Sequence, residues 1–178
     1  MCIRDSGSIT FFNDNEIIHV KGDLNPNDDF DDINSELILA DISRVEKYIN
    51  RIEKSGYSPS KIFLIGFSQG ACLAIDFALR LQFSIGGIVA IAGFIKFKER
   101  FLSEASNESD DTPILLMHGN QDDIIPIKAG ETAYNILLEK GNPIHFERYN
   151  AKHKIPLKKM NLINKFINQP IDVVNPEI

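Results

Sequence analysis

The hydrophobic and polar positions of this chain alternate between short apolar runs and longer amphipathic stretches. The apolar runs predict buried strands at residues 62–65, 85–94, 113–117 and 143–149. Hydrophobic residues spaced three and four positions apart predict helices at residues 33–55, 71–82, 128–140 and 156–168. Strands that alternate with helices at this spacing are joined by right-handed crossovers. The pattern therefore predicts an α/β fold with a mainly parallel sheet flanked by helices.

The N-terminal part of the chain has a less regular pattern. Residues 1–7 resemble a leader that is not native to the fold. Two β-rich runs, at residues 8–12 and 16–20, indicate a hairpin or a strand followed by a loop. Residues 22–32 form an acidic loop that lacks the alternating ligands and the terminal Glu of a calcium loop. We interpret it as a solvated segment rather than a metal site.

We expect one domain between residues 8 and 168, followed by a mobile tail at residues 169–178. The first predicted helix should end at Gly56, in the left-handed conformation that glycine favours. The polar insert at residues 95–112 leaves two interpretations open. It is either a surface loop with one short helix, or a cap whose aromatic residues, Phe97 among them, line an acyl pocket.

Composition and charge narrow the classes of function. With 178 residues, 43% of them hydrophobic and 25% charged, the chain resembles an ordinary globular domain. Its net charge of −6 argues against a general nucleic-acid binder. No apolar run approaches the ~20 residues of a membrane span, and no apolar signal-peptide core follows the N-terminus. Two cysteines, Cys2 and Cys72, do not make a disulfide framework, which favours a cytoplasmic setting with Cys72 as a small buried residue.

The strongest candidate chemistry lies in the segment Gly66-Phe67-Ser68-Gln69-Gly70, a G-x-S-x-G motif. A buried strand is predicted directly before it and a helix directly after it. This order is typical of the nucleophile elbow of a serine hydrolase, in which the serine hydroxyl stands at the carboxyl end of the strand. The two glycines permit the tight turn and the close approach of strand and helix.

A serine nucleophile needs a base and a group that orients the base. Asp122 and His153, like Ser68, each follow a predicted strand, so all three should meet at the carboxyl edge of the sheet. The order Ser, Asp, His along the chain is that of the α/β-hydrolases. Asp123 is an alternative acid because it is adjacent to Asp122.

The other three histidines are weaker candidates for the base. His118 lies at a strand end before the acid in sequence, and we interpret it as a structural residue that shapes the turn. His145 lies inside a predicted strand, which favours a structural role. His19 precedes the serine, which is the wrong order for the base.

The three motifs together resemble the phospholipase/carboxylesterase family of α/β-hydrolases, which includes the acyl-protein thioesterases. They are Gly-Phe-Ser-Gln-Gly-Ala, then His-Gly-Asn-Gln-Asp-Asp-Ile-Ile-Pro, then a lone histidine after a strand. The resemblance covers residues 33–168 and implies Ser68 as nucleophile, Asp122 as acid, His153 as base and the Gln69 N–H as an oxyanion donor. It also implies a small-molecule ester, an acyl thioester or an acylated protein as substrate, with no metal and no organic cofactor.

One departure from the family pattern shapes the expectations. The family carries a His-Gly oxyanion loop after an early strand, whereas no His-Gly precedes Ser68 here. We therefore expect an α/β-hydrolase fold that lacks its first strands. Without an N-terminal strand beside it, the nucleophile strand would become a hydrophobic edge, and the sequence leaves open where residues 8–20 pair. Losing one oxyanion donor typically costs ~10²–10³ in turnover, so we expect weak or no activity from this chain alone.

Aromatic residues are the candidates for contact with the acyl group. Phe67 lies in the serine motif and Phe97 in the polar insert, and Phe11 is expected either near the site or in a core strand. Two other functions remain open: a non-catalytic binding module with a hydrolase fold, and a dienelactone-hydrolase-like or peptidase-like enzyme. The sequence does not indicate an oligomeric state.

Overall fold

The computed structural model describes residues 58–175 continuously, strand residues 8–12 and 17–21, and Lys47, Lys54 and Gly56 singly. Lys47 and Lys54 are helical, whereas the rest of the helix predicted at residues 33–55 lies outside the described residues. The predicted leader and the acidic loop lie outside them as well. Gly56 has a φ of 86°, which confirms the left-handed conformation expected where that helix ends.

Six strands form a single sheet. They are β1 (Ser8–Phe12), β2 (Ile17–Lys21), β3 (Phe63–Phe67), β4 (Gly87–Ile91), β5 (Ile114–Gly119) and β6 (Ile144–Tyr149), in the spatial order β2-β1-β3-β4-β5-β6. The last four are parallel, with Ile65, Val89, Leu115 and His145 in register across the sheet. The predicted α/β-hydrolase fold class, with its mainly parallel sheet, is confirmed.

The N-terminal hairpin occupies a position that the sequence did not predict. β1 and β2 are antiparallel, and β1 also pairs antiparallel with β3, with Thr10 opposite Ile65. The nucleophile strand therefore has a neighbour on each side. The hairpin, whose place the sequence left open, supplies hydrogen-bonding partners for β3, so this strand is not the hydrophobic edge that it would be without an N-terminal neighbour.

Five α-helices connect or follow the strands in the described part of the chain. They are α1 (Gln69–Ala78), α2 (Lys98–Glu104), α3 (Ile127–Lys140), α4 (Met160–Asn168) and α5 (Pro170–Val174). Short 3₁₀ turns occur at Pro59–Lys61, Asn107–Ser109 and Leu157–Lys159. α3 ends at Gly141, whose φ of 97° satisfies the left-handed cap that terminates a helix.

The sheet has a hydrophobic core on each face because successive strand residues point to opposite sides. On one face, Leu64, Ile88 and Leu116 pack with α1 and α3 residues such as Phe77 and Leu137. On the other face, Val89, Leu115 and Met117 pack with Ile163 and Phe166 of α4. The helices thus cover both faces and leave the carboxyl ends of the parallel strands as the open edge.

The polar insert at residues 95–112 is anchored rather than free. Phe101 of α2 is 2% exposed and belongs to the core beside α1. The Ser109 hydroxyl donates to the carbonyl of Leu79 at 3.0 Å, which ties the 3₁₀ turn to the end of α1. This part of the insert is a surface segment with one short helix, while Phe97 remains 40% exposed at its beginning.

The segment expected to be a mobile tail contains a packed helix. Val173 and Val174 of α5 are 5% and 7% exposed and belong to the core beside α4. The structure differs from the expectation because two adjacent valines provide enough apolar surface to dock the short helix, which begins with Pro170. No helix in the part of the chain that the structure describes is long and apolar enough to cross a membrane.

Candidate active site

Ser68 stands at a sharp turn between β3 and α1. Its φ of 56° and ψ of −121° lie in a region that non-glycine residues rarely occupy, at a cost of roughly 1–3 kcal/mol. The Ser68 N–H donates to the carbonyl of Ile91 at 2.8 Å, which ties the turn to the end of β4. A Cβ added at Gly66 would overlap the carbonyl of Gly70, so glycine is required where strand and helix approach. The predicted elbow is therefore present.

The first turn of α1 lies directly behind the serine. Gln69 is the first helical residue, so its backbone N–H has no acceptor inside the helix. The Gln69 side chain is buried, and its Oε1 has no hydrogen-bond partner within the described part of the chain. The helix terminus therefore presents a free backbone donor beside Ser68, where a developing negative charge would be stabilised.

Asp122 and His153 form the central hydrogen bond of the site. His153 Nδ1 donates to Asp122 Oδ2 at 2.8 Å. The other carboxylate oxygen of Asp122 accepts from the backbone N–H groups of Ile124 and Ile125, at 3.0 and 2.8 Å. The Asp122 side chain is fully buried, and that of His153 is 17% exposed. This carboxylate holds the imidazole proton on Nδ1, so Nε2 of the neutral ring is an acceptor.

The loops that carry these two residues are joined by backbone contacts. The Asn120 N–H donates to the Tyr149 carbonyl at 2.8 Å, and the Gln121 N–H donates to the Ala151 carbonyl at 3.1 Å. A Cβ at Gly119 would overlap the carbonyl of Ala151, so the loops approach as closely as a glycine allows. Backbone hydrogen bonds between the two loops therefore fix the relative positions of Asp122 and His153.

His153 also contacts the residue that precedes the serine. The rings of Phe67 and His153 have centroids 4.7 Å apart and are tilted by 49°. The imidazole is thus held by a carboxylate on one side and an aromatic ring on the other. The Ser68 hydroxyl itself makes no hydrogen bond within the described residues, and catalytic hydrogen bonds are often long in the absence of substrate.

The family follows from comparison with known proteins. A family model described as Phospholipase/Carboxylesterase matches residues 23–171. The chain belongs to the phospholipase/carboxylesterase family. Acyl-protein thioesterase 1 of Kluyveromyces lactis is 32% identical over 146 residues, which are 78% of this chain and 63% of that protein. Carboxylesterase SOBER1 of Arabidopsis thaliana is 28% identical over 138 residues, which are 77% of this chain and 60% of that protein.

A solved structure supports the same family. The crystal structure of Arabidopsis thaliana SOBER1 aligns with a TM-score of 0.73 at 28% identity, over 77% of this chain and 66% of that chain. The chain spans less than two thirds of the length of the curated relatives described above. These likenesses establish the fold and the family of the chain.

In this phospholipase/carboxylesterase family member, the alternative acid is separated from His153, the candidate base. Asp123 is adjacent to Asp122, but its side chain is 55% exposed and pairs with Lys152 at 2.6 Å. The hydrogen bond from Lys152 lowers the pKa of Asp123, and Asp123 raises the pKa of Lys152. Of the two neighbouring carboxylates, Asp122 is the one that bonds to His153.

His118 has the surroundings of a structural residue. It is fully buried, and its Nε2 donates to the Ile125 carbonyl at 2.9 Å and lies 3.5 Å from Asp122 Oδ2. A Cβ at Gly130 would meet its Nδ1 at 2.5 Å. His118 thereby supports the loop that carries Asp122. His145 lies on β6, with Nε2 3.5 Å from a carboxylate oxygen of Glu147, and the side chain of His19 is not described.

The three aromatic candidates lie in different surroundings. Phe67 packs against His153, as described above. Phe97 contacts two cations, with Lys96 Nζ and the Arg100 guanidinium 5.4 and 5.5 Å from its ring centroid. Only the backbone of Phe11 is described, and it pairs with Leu64.

The sequence did not indicate two of the contacts around the site. These are the ring contact of Phe67 with His153 and the ion pair of Asp123 with Lys152. Each joins residues more than 25 positions apart, so no local pattern could have shown them. Cys72 was predicted to be buried and is partly buried: its Sγ accepts from the Phe94 N–H at 3.4 Å, and burial raises the pKa of its thiol to about 12.

Proposed function

We propose that this protein hydrolyses carboxylic esters or thioesters through an acyl-enzyme on Ser68. The observation that carries the proposal is the buried Asp122–His153 hydrogen bond beside a strained serine elbow. This arrangement has the order and the roles of a serine-hydrolase triad, and the strain at Ser68 is typical of a nucleophile elbow. Family membership supports the same reaction class.

In the proposed mechanism, Ser68 Oγ attacks the carbonyl carbon while His153 Nε2 takes the hydroxyl proton. The resulting imidazolium is stabilised by Asp122, which keeps its negative charge. His153 then gives the proton to the departing alcohol or thiol, and the acyl group remains on Ser68. Water, deprotonated by His153, attacks the acyl-enzyme and releases the carboxylic acid.

The Gln69 N–H is the oxyanion donor in this proposal. It lies at the N-terminus of α1, where the helix dipole also favours negative charge. Gln69 is the single donor that we assign among the described residues. Because one missing donor costs ~10²–10³ in turnover, we propose that this chain by itself turns over slowly.

The proposed substrates are acyl esters and acyl thioesters, either small molecules or acylated proteins. Phe67, Phe97 and Phe11 are the residues that we assign to the acyl group. Phe67 borders the proposed base, and Phe97 is 40% exposed in the segment that follows β4, so each has apolar surface that an acyl group could contact. The free thiol of Cys72 fits a reducing compartment such as the cytoplasm.

A non-catalytic binding module is the second candidate, because the Ser68 hydroxyl has no hydrogen bond within the described residues. Reaction with a fluorophosphonate probe separates the two. We expect labelling at Ser68 that is absent from Ser68→Ala, together with slow hydrolysis of a short-chain p-nitrophenyl ester. A folded protein that takes up no label would favour the binding module.

A further inference from the structure

The C-terminal part of the chain has a charge distribution opposite to that of the whole. The net charge is −6, yet residues 148–171 contain no aspartate or glutamate. The same stretch carries six cationic side chains: Arg148, Lys152, Lys154, Lys158, Lys159 and Lys165. This stretch therefore carries a net positive charge within an acidic chain.

Three of these lysines have no acidic partner within the described part of the chain. Lys152 pairs with Asp123, Lys159 with Glu147 and Arg148 with Glu131. Lys154, Lys158 and Lys165 are exposed, and none forms an ion pair within the described part of the chain. Their charges therefore act on whatever approaches this side of the protein.

The exposed positions fall on one face of a helical segment. From the 3₁₀ turn at Leu157–Lys159 through α4, the exposed residues at helical spacing are Leu157, Lys158, Met160, Asn161, Asn164, Lys165 and Asn168. The opposite face is buried in the core through Ile163 and Phe166. The side chains of the outer face are therefore either basic or uncharged, and none of them is acidic.

Leu157 adds an exposed apolar side chain to this face. Its side chain is 88% exposed, the most exposed of the large hydrophobic residues described. It stands between Lys154 and Lys158 in the chain, directly after Pro156. An apolar side chain that projects among lysines is the arrangement found where a protein lies on an anionic lipid surface, with the charges at the head groups and the apolar group below them.

We propose that Lys154, Leu157, Lys158 and Lys165, here called the basic face, dock the protein on an anionic phospholipid bilayer. A lipid surface fits better than a protein because the exposed apolar side chains here, Leu157 and Met160, are interspersed with lysines, and lysine is depleted in protein interfaces. Lys154 is adjacent to His153, so docking would bring the candidate site close to the membrane surface. The proposal concerns binding alone and stands whether or not the protein is catalytic.

Vesicle sedimentation tests whether the lysines of the basic face contribute to binding of anionic bilayers. We expect the 178-residue chain to bind vesicles with about 30 mol% phosphatidylserine, to bind phosphatidylcholine vesicles far more weakly, and to lose binding in high salt. The triple variant Lys154→Gln, Lys158→Gln, Lys165→Gln should bind about a hundredfold more weakly, since each lysine near the surface contributes about fivefold.

The matched control removes three other exposed lysines. Lys61→Gln, Lys98→Gln and Lys128→Gln together change the net charge by the same amount on other parts of the surface. We expect this variant to retain most of the binding. Equal losses in the two triple variants would overturn the proposal, because they would show attraction without a docking face.

Tryptophan fluorescence tests whether the side chain at position 157 inserts into the bilayer. The sequence contains no tryptophan, so Leu157→Trp introduces a single reporter. We expect its emission to indicate full exposure in buffer, to shift to the blue on phosphatidylserine vesicles, and to be quenched by brominated lipid. Leu138→Trp is the control, because Leu138 is 51% exposed on α3, which covers the opposite face of the sheet.

Two outcomes of this experiment would contradict the proposal. An unshifted Leu157→Trp spectrum on vesicles that bind the protein would show adsorption through another surface. A blue-shifted spectrum already present in buffer would show that another segment or a second copy of the chain covers Leu157.

Discussion

The ring of Phe67 lies 4.7 Å from the imidazole of His153, although the two residues are 86 positions apart. Phe67 is the last residue of β3, and Ser68 follows it directly. The same backbone that presents the nucleophile therefore also supports the proposed base. Asp122 holds the imidazole from its Nδ1 side, so the ring is restrained at two points.

Replacing Phe67 tests this second restraint. Aromatic pairs contribute ~0.5–1.5 kcal/mol beyond area burial, so Phe67→Ala should slow fluorophosphonate labelling of Ser68 about two- to tenfold. Labelling rates at saturating probe should fall, because the proposed base is less well held. Phe97→Ala is the comparison, and it should change the probe concentration needed for saturation instead. If Phe67→Ala changes only that concentration, Phe67 is a substrate contact and not a support for His153.

The two adjacent carboxylates give opposite expectations. Asp122→Asn keeps an acceptor for the N–H groups of Ile124 and Ile125 but lets the amide hold the wrong imidazole tautomer. The rate of Ser68 labelling should fall by ~10³–10⁴. Asp123→Asn should change it less than about threefold, because exposed ion pairs have small effects. A larger loss in Asp123→Asn than in Asp122→Asn would reverse the assignment of the acid, and thermal unfolding of both variants checks that they are folded.

The Asp123–Lys152 pair should make a small contribution to stability that depends on pH. The pKa of Asp123 is lowered in the fold, so its contribution is present above the unfolded pKa and lost as the pH falls through the folded value. The pKa of Lys152 is raised, so its contribution is present at neutral pH and lost at alkaline pH beyond the folded value. The difference in Tm between the protein and Lys152→Gln should therefore vanish in acid and shrink in high salt. A difference that persists in acid would mean that Lys152 acts through packing.

Cys72 should resist alkylation in the folded protein. Burial raises the pKa of its thiol from 9.0 to about 12, which lowers the thiolate fraction at neutral pH by about a thousandfold. Iodoacetamide at pH 8 should modify Cys72 only after unfolding in urea, as peptide mass mapping will show. Above pH 9 the thiol ionises more readily in the unfolded chain than in the folded one, so ionisation of Cys72 lowers the free energy of unfolding. Cys72→Ala should therefore lose less stability than the unchanged protein as the pH rises above 9. Rapid alkylation under native conditions would contradict the buried, protonated thiol.

Much of the fold followed from local pattern. The strands at β3 to β6 and the helices α1, α3 and α4 were predicted because a buried strand requires an apolar run and a packed helix requires a periodic stripe. The elbow at Ser68 was predicted because only glycines fit where the chain turns so tightly. The carboxyl ends of parallel strands share an edge, and this placed Asp122 and His153 together before any distance was known.

Packing over long distances decided the rest. Asp122 and Asp123 are adjacent aspartates in the same predicted loop, so the sequence pattern does not distinguish them. The conformation of the loop determines that Asp122 is buried against His153 and that Asp123 is exposed beside Lys152. The sequence also could not show that β1 would pair with β3. Local sequence determines elements and turns because backbone sterics act between neighbours. Tertiary structure determined which side chains meet, because that depends on how the whole sheet and its helices fit together.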